Sequence, residues 1–172
     1  CKSLSGELSL PETLESIGNS CFYGCSMLSG TLTLPHKLKE IPNSCFFGCN
    51  GLTGDLVIPE NITKIEGYAF CECNNITGTL TLPNGLQKIG EGAFWGTALD
   101  KIEIPVHVDN IAGAAFSFSG LKEITVDSEN EYYSTDGVFL CNKEKTEIVQ
   151  YPMGLELEDV TIPNIITTIG DL

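Results

Sequence analysis

Eight cysteines in 172 residues are the most reactive groups this sequence offers. Cys1, Cys25, Cys49 and Cys73 recur every 24 residues, and Cys21 and Cys45 form a second series at the same interval. If each interval is one turn of a stacked chain, neighbouring thiols stand about 4.8 Å apart, the spacing of adjacent strands. A disulfide between turns then meets the Cα window, but parallel Cβ vectors leave the Cβ atoms slightly too far apart. A zinc site from Cys21, Cys25, Cys45 and Cys49 needs four thiolates that converge, whereas a ladder projects them in parallel. Free cysteine packs as a small hydrophobe. The expectation is buried, unbridged thiols, ahead of a disulfide or a metal.

The other candidate groups are sparser. His36 and His107 each follow a strand-like segment, three turns apart, which is about 14 Å on strand spacing. A nucleophile and its base need hydrogen-bond reach, so these two do not share a catalytic role. Asp127, Glu129, Glu131 and Asp136 crowd one segment, but an EF-hand loop needs Gly at its sixth position and Tyr132 stands there. Solvated loop acids are the expected reading. Glycine-rich phosphate loops are absent. Asn61-Ile62-Thr63 and Asn75-Ile76-Thr77 satisfy the N-glycosylation pattern, which is short enough to arise by chance. With no convergent acid, base or nucleophile, the chain is expected not to be an enzyme and to need no cofactor or metal.

Charge narrows the partners. Nine lysines, no arginine and 23 acidic residues leave a net charge of −14. Such a chain repels phosphate backbones, which excludes nucleic acid. No apolar run approaches the roughly 18 residues a spanning helix requires, so membrane insertion by this segment is excluded too. A hydrophobic fraction of 42% with 19% charged residues is enough for a packed core.

What positions these residues is a repeat. Leu8-Ser9-Leu10-Pro11, Leu32-Thr33-Leu34-Pro35, Leu56-Val57-Ile58-Pro59 and Leu80-Thr81-Leu82-Pro83 start 24 residues apart. Ile102-Glu103-Ile104-Pro105 and Ile124-Thr125-Val126-Asp127 follow at 22, and Val160-Thr161-Ile162-Pro163 after 36. In step with them run Ile17, Ile41, Ile65, Ile89, Ile111 and Ile169. Next come Phe22, Phe46, Phe70, Phe94 and Phe116, then Leu28, Leu52, Ile76, Leu99 and Leu121. Alternation marks each four-residue segment as a short half-buried strand, which its proline ends. Glycines mark bends on the return path, where short helical or 3₁₀ turns are expected around the phenylalanines. One unit buries too little alone; stacking makes a continuous apolar column. Residues 1–6 match the tail of a unit, and residues 169–172 stop before the next phenylalanine. The expectation is one solenoid over 1–172, truncated in mid-repeat at both ends, with 127–159 holding an insertion.

A unit of L-x-L-P, I-G or I-P, A/C-F, G-C and a closing Leu resembles the BspA-like leucine-rich repeats. The small residue before Phe is Ala69, Ala93 and Ala115, but Cys21 and Cys45 in the first units. Asp127 replaces the strand-ending proline, and Phe116 is followed by Ser117-Phe118-Ser119 without the Gly-Cys pair. The resemblance implies an α/β repeat class: a right-handed leucine-rich-repeat solenoid with a parallel β-sheet on the concave face and 3₁₀ or helical turns on the convex face. It also implies one inserted β-hairpin, with arms over Tyr133–Leu140 and 147–152 and its turn at 142–145. It further implies a non-enzymatic binding or adhesion module, cell-surface or secreted, engaging a protein or glycan partner, host molecules included. The alternative is a structural spacer or an intracellular protein-interaction scaffold.

Two surfaces are candidates for that partner. On each strand the apolar pair points inward, so two columns face out. One is Glu7, Thr31, Asp55, Thr79, Lys101, Glu123 and Asp159; the other is Ser9, Thr33, Val57, Thr81, Glu103, Thr125 and Thr161. They carry five acids, Glu7, Asp55, Glu103, Glu123 and Asp159, against Lys101 alone. The second surface is aromatic: Tyr23, Phe47 and Trp95 follow the buried phenylalanines, interrupted by Cys71. Packing against neighbouring turns is the leading reading there, ahead of a partner site.

Overall fold

A short strand cannot stand alone, so each unit must find its hydrogen bonds in the next. In the computed structural model, which describes residues 4–156 and 158–170, this is met by short strands and turns; no helix occurs among the described residues. In chain order the strands begin with β1 (Ser5–Glu7), β2 (Met27–Ser29), β3 (Glu40–Ile41), β4 (Gly54–Val57), β5 (Lys64–Ile65), β6 (Ile76–Thr81) and β7 (Lys88–Ile89). They continue with β8 (Ala98–Ile104), β9 (Asn110–Ile111), β10 (Glu123–Val126), β11 (Tyr133–Thr135), β12 (Leu140–Asn142), β13 (Glu147–Gln150) and β14 (Thr168–Ile169).

Strands β4, β6, β8 and β10 form a long parallel sheet in sequential order, from the L-x-L segments. The segments at Leu8, Leu32 and Val160 are not strands. Strand β1 lies just ahead of Leu8 and pairs with β2, and the Leu32 unit meets its neighbour through the Gly30–Leu52 bridge. A second parallel sheet, β3-β5-β7-β9, runs along the isoleucine column with two residues per strand.

Register slips in the long sheet between Gly54 and Leu56 and between Gly78 and Thr79. Both glycines are left-handed, with φ of 81° and 76°. A Cβ on Gly78 would fall 2.0 Å from Asp55 Oδ1. The β8–β10 pairing, between two of the shorter units, runs without a slip. In the β6–β8 pair the extra residue is Asp100, on the strand of the shorter unit: Gly78 and Thr79 are adjacent, while their partners Leu99 and Lys101 are two apart.

The turn face corrects the expectation of helical or 3₁₀ turns. Ser20, Phe22 and Gly24 donate their N–H groups to the carbonyls of Asn43, Cys45 and Phe47 in the following unit, at 2.9, 2.9 and 2.7 Å. Ser44, Phe46 and Gly48 do the same to Gly67, Ala69 and Cys71, and Tyr68, Phe70 and Glu72 to Glu91, Ala93 and Trp95. The intervening N–H groups close β-turns, as from Tyr23 to Ser20 O at 3.1 Å. Alternate donors can face along the solenoid only because two positions per unit are left-handed. One holds Ser20, Ser44, Tyr68, Gly92 and Ala114; the other holds Gly24, Gly48, Glu72, Gly96 and Phe118. A helix turns every N–H inward and needs an unbroken run of right-handed residues. At Phe118 the N–H meets Met153 Sδ at 3.1 Å instead of a carbonyl.

Inside, the phenylalanine rings of Phe22, Phe46, Phe70, Phe94 and Phe116 stack with centroids 5.3 to 5.6 Å apart and planes within 9° of parallel. Burying one such side chain contributes roughly 2–3 kcal/mol. A column that the motif did not single out, Leu38, Ile62, Leu86 and Val108, is fully buried beside them. Its members recur at the repeat interval, so the spacing alone could have found it.

The insertion has three strands where a hairpin of two was expected. The first arm, Tyr133–Leu140, itself folds back at Asp136-Gly137, giving antiparallel β11–β12. Asp136 Oδ1 accepts from the N–H groups of Val138 and Phe139 at 2.9 and 2.8 Å, and Gly137 has φ of 99°. Asp-Gly is a strong hairpin signal. The turn after Asn142 stands as expected, with Asn142 Oδ1 accepting from Thr146 N at 2.8 Å. Strand β13 then pairs antiparallel with β12 and parallel with β14, which rejoins the isoleucine column at Ile169. Fully buried Asn130 fastens the insertion: its amide donates to Pro105 O and Val108 O, and its Oδ1 accepts from Tyr132 and Tyr133 N–H.

Two substitutions test this architecture by urea unfolding. Ala114→Gly should stabilise by roughly 0.5–1 kcal/mol, because a left-handed Ala is relieved; in a helix the same change would destabilise. Phe70→Ala, in the middle of the stack, should cost about 3–5 kcal/mol.

Candidate binding face

The long sheet presents the outward columns as cross-strand rows. Thr79 stands opposite Lys101 and Lys101 opposite Glu123, while Val57 is paired with Thr81 and Glu103 with Thr125. Parallel pairing places equivalent side chains beside one another on a rigid surface. Glu7, Thr31, Thr33, Asp55, Val57, Thr79, Thr81, Lys101, Glu103 and Glu123 are exposed, and Thr125 is half-buried. The structure gathers Thr79, Thr81, Lys101 and Glu103, with Asn84 and Asp127, around a shallow groove of about 210 Å³. Glu7, Thr31 and Thr33 lie off this sheet.

Several of these charges are already engaged. Lys101 Nζ bonds Glu123 Oε1 at 2.8 Å, and between the same two rungs Lys122 Nζ bonds Asp100 Oδ1 at 2.9 Å. Asp55 Oδ1 accepts from Thr79 N–H at 3.3 Å. Lys101 balances Glu123, and the excess of acid on this sheet rests with Asp55 and Glu103. These exposed pairs contribute at most about 1 kcal/mol each, and salt screens them. Both sequon asparagines are exposed, and their amides are engaged between units: Asn61 Nδ2 donates to His36 O at 2.7 Å and Asn75 Nδ2 to Asn50 O at 2.6 Å. His107 Nδ1 lies 2.9 Å from Asn84 O, on a different rung from His36.

Of the main cysteine column, Cys25, Cys49 and Cys73 are fully buried and unbridged, while Cys1 lies outside the described residues. The Cys49 and Cys73 thiols donate to Phe22 O and Phe46 O at 3.1 and 3.0 Å, one unit back. Thr97 occupies the same column and donates to Phe94 O. Ser119 follows it, and its buried hydroxyl has no partner among the described residues. Burial pushes the Cys45 and Cys49 thiols from an ordinary 9.0 up to about 12, with neighbouring thiols adding to the shift. Cys71 rises to about 11 by burial and then by the charge of Glu72. Cys73 is raised as well, by burial first. Such thiols are inert toward electrophiles at neutral pH.

Among the described residues, no group of three or more His, Cys, Asp or Glu side chains could hold a metal ion, and no helix is long and apolar enough to cross a membrane. The tyrosine, phenylalanine and tryptophan of the aromatic stripe pack in pairs, Tyr23 on Phe47 and Trp95 on Phe118. Packing between rungs is what the stripe was expected to show; Phe118 was missed because its column elsewhere holds Gly24, Gly48 and Gly96.

A family model described as the BspA-type leucine-rich repeat region matches six copies, over residues 1–77 and 51–152. No curated protein matches the chain. Among solved structures, the pneumococcal vaccine antigen PcpA is similar with a TM-score of 0.80 at 22% identity, over 95% of this chain and 41% of that one. A leucine-rich cell surface protein of Faecalibacterium prausnitzii gives 0.65 at 29%, over 95% of this chain and 50% of that one. A leucine-rich repeat protein of Eubacterium ventriosum gives 0.64 at 22%, over 98% of this chain and 50% of that one. The chain thus spans about half the length, or less, of the solved chains it resembles.

The raised thiols have a pH signature. Cys45 and Cys49 keep their protons in the fold until about pH 12, whereas the unfolded chain releases them near 9. Their contribution to stability is therefore full below about pH 9 and is lost as pH rises toward 12. Urea midpoints should be flat from about pH 7 to 8.5 and fall beyond about 9.5. A thiol reagent applied to the native protein should label exposed Cys21 well before Cys45, Cys49 and Cys73, and unfolding should equalise them.

Proposed function

The chain belongs to the BspA-type leucine-rich-repeat family, and from that membership we propose that it is a non-enzymatic binding module of a surface or secreted protein. It engages a protein or glycan partner through the outward face of the long sheet. The observation that carries this reading is the set of cross-strand rows on the long sheet: Thr79, Lys101 and Glu123 in one, and the pairs Val57–Thr81 and Glu103–Thr125 in the other. Their side chains come from different units yet stand on one rigid surface, as repeat solenoids use for extended contacts. A vaccine antigen and a cell surface protein among the structural relatives support the surface setting. No acid, base and nucleophile converge on this face, which supports binding over catalysis.

The charge of the face sets the kinetics. A basic partner is steered by Glu103 and the other acids, and steering weakens as salt shortens the Debye length, about 8 Å at physiological strength. The test begins with arrays of extracellular proteins and surface glycans, probed with the labelled chain. For each hit, Glu103→Lys combined with Asp55→Lys should weaken binding, and a basic partner should associate about tenfold more slowly between low and high salt. Changing Lys143 and Lys145 on the insertion turn to Ala should leave binding intact. Binding that survives the sheet substitutions and is lost with the turn substitutions assigns the partner to the insertion instead.

A further inference from the structure

The second sheet stops at β9, and it stops with its edge open. In the units before it, a dipeptide of the following unit closes each isoleucine corner in one way. Its first N–H donates to the isoleucine carbonyl, and its second carbonyl accepts from the left-handed residue three positions after that isoleucine. Glu66-Gly67 does this for Ile41 O and Ser44 N–H, both at 2.9 Å, and Gly90-Glu91 for Ile65 O and Tyr68 N–H, both at 2.8 Å. Ala112-Gly113 does it for Ile89 O and Gly92 N–H at 2.9 and 3.4 Å. Ile111 O and Ala114 N–H are the next pair in the series, and neither has a partner among the described residues. Strand β13 stands next in the isoleucine column, but it pairs with β12 and β14 and not with β9. Ile111 N–H is held by a substitute, the Tyr133 hydroxyl at 2.8 Å.

The space over this corner is open as well. Ile41, Ile65 and Ile89 are fully buried, whereas Ile111 is half-buried and Gly113 is exposed. A groove of about 370 Å³ is lined by Ile111 and Gly113 of the corner and by Glu147, Val149, Thr168 and Ile169 of β13 and β14. A second, of about 340 Å³, is lined by Glu91, Ala112, Gly113 and Ala114. Both reach Gly113, which lies between the free carbonyl and the free amide in the chain.

We propose that this corner docks an extended segment of a partner protein, one that places an aliphatic residue and then two small ones against Ile111–Ala114. An extended backbone adds to an open edge through main-chain bonds, and the pockets beside it select side chains. The chain's own units define the occupant. The first small residue gives its N–H to Ile111 O and the second its carbonyl to Ala114 N–H, as Ala112-Gly113 does one rung earlier. Small residues are required because the rungs stack closely here: a Cβ on Gly90 would fall 2.5 Å from Gly67 N. The aliphatic side chain takes the place of the next isoleucine, beside Ile111, Val149 and Ile169, none of which is fully buried. Glu91 and Glu147 at the two grooves favour a segment with basic flanks over one with acidic flanks. The corner does not depend on the outward face of the long sheet.

The isotope-labelled chain is titrated with acetyl-Lys-Ile-Gly-Gly-Lys-amide while the amide resonances of Gly113 and Ala114 are followed. Ala114 N–H should shift saturably, because it gains the hydrogen bond directly. Sarcosine in place of the first glycine removes the donor for Ile111 O and should weaken binding about tenfold. Valine in place of both glycines leaves the charge unchanged and should abolish binding. Val149→Trp, which fills the larger groove, should abolish the shift. If that variant loses its cooperative thermal transition, the sarcosine and valine peptides on the native chain decide alone. Equal binding of the sarcosine peptide overturns the backbone pairing, equal binding of the valine peptide overturns the requirement for small residues, and no saturable shift at Ala114 overturns the site. The chain's own Ile17-Gly18-Asn19 nearly fits the pattern, so a dilution series without peptide is run beside the titration. A shift of the same resonances with protein concentration overturns the partner assignment in favour of a second copy.

Discussion

Everything in this molecule depends on one arrangement of the backbone, in which alternate N–H groups on the turn face are aimed at the next unit. Ser20, Phe22 and Gly24, and their counterparts in the next three units, donate forward, so the following unit completes the hydrogen bonding of each of these. The arrangement is expensive locally. Ser44, Tyr68, Glu72 and Ala114 hold left-handed conformations that cost L-residues about 1–2 kcal/mol each. The three forward bonds of each of these units, together with the phenylalanine it buries against its neighbours, offset that cost. The two effects share one cause: a rung spacing near 4.8 Å satisfies the amides and also brings the rings into stacking distance.

The same spacing explains why a cysteine-rich chain has quiet cysteines. A column of identical residues one rung apart cannot converge, so Cys25, Cys49 and Cys73 pack as small apolar groups. Their hydrogens still need an acceptor, and the carbonyls of Phe22 and Phe46, one unit back, supply it for Cys49 and Cys73. Thr97 and Ser119 later in the column show that the position takes a small side chain rather than sulfur as such.

Buried positions were legible in the sequence because burial is periodic: the leucine, isoleucine and phenylalanine columns announce themselves at every turn. So were the outward columns, which follow from alternation alone. Backbone conformation was not. Nothing in Ser20, Tyr68 or Glu72 as residue types signals a left-handed φ, because the ladder imposes it from outside the unit. The second sheet escaped notice for a related reason, since strands of two residues such as Lys64–Ile65 leave no alternation to read. The fold-back at Asp136-Gly137 was written in the sequence but lay inside what read as one arm of a hairpin. On the candidate face, the rows were legible, whereas the engagement of Asp55 by the Thr79 amide depends on the bulge at Gly78, which only the register reveals.

The forward-pointing amides also determine how the molecule would behave under tension. Bonds between units run along the stacking direction, so a pull on the two ends loads one interface at a time rather than sharing the force among all of them. Each 24-residue unit that peels away releases a contour length of roughly 80 Å. A chain built this way extends in steps under load, each step set by one unit, and rewinds from the rungs that remain.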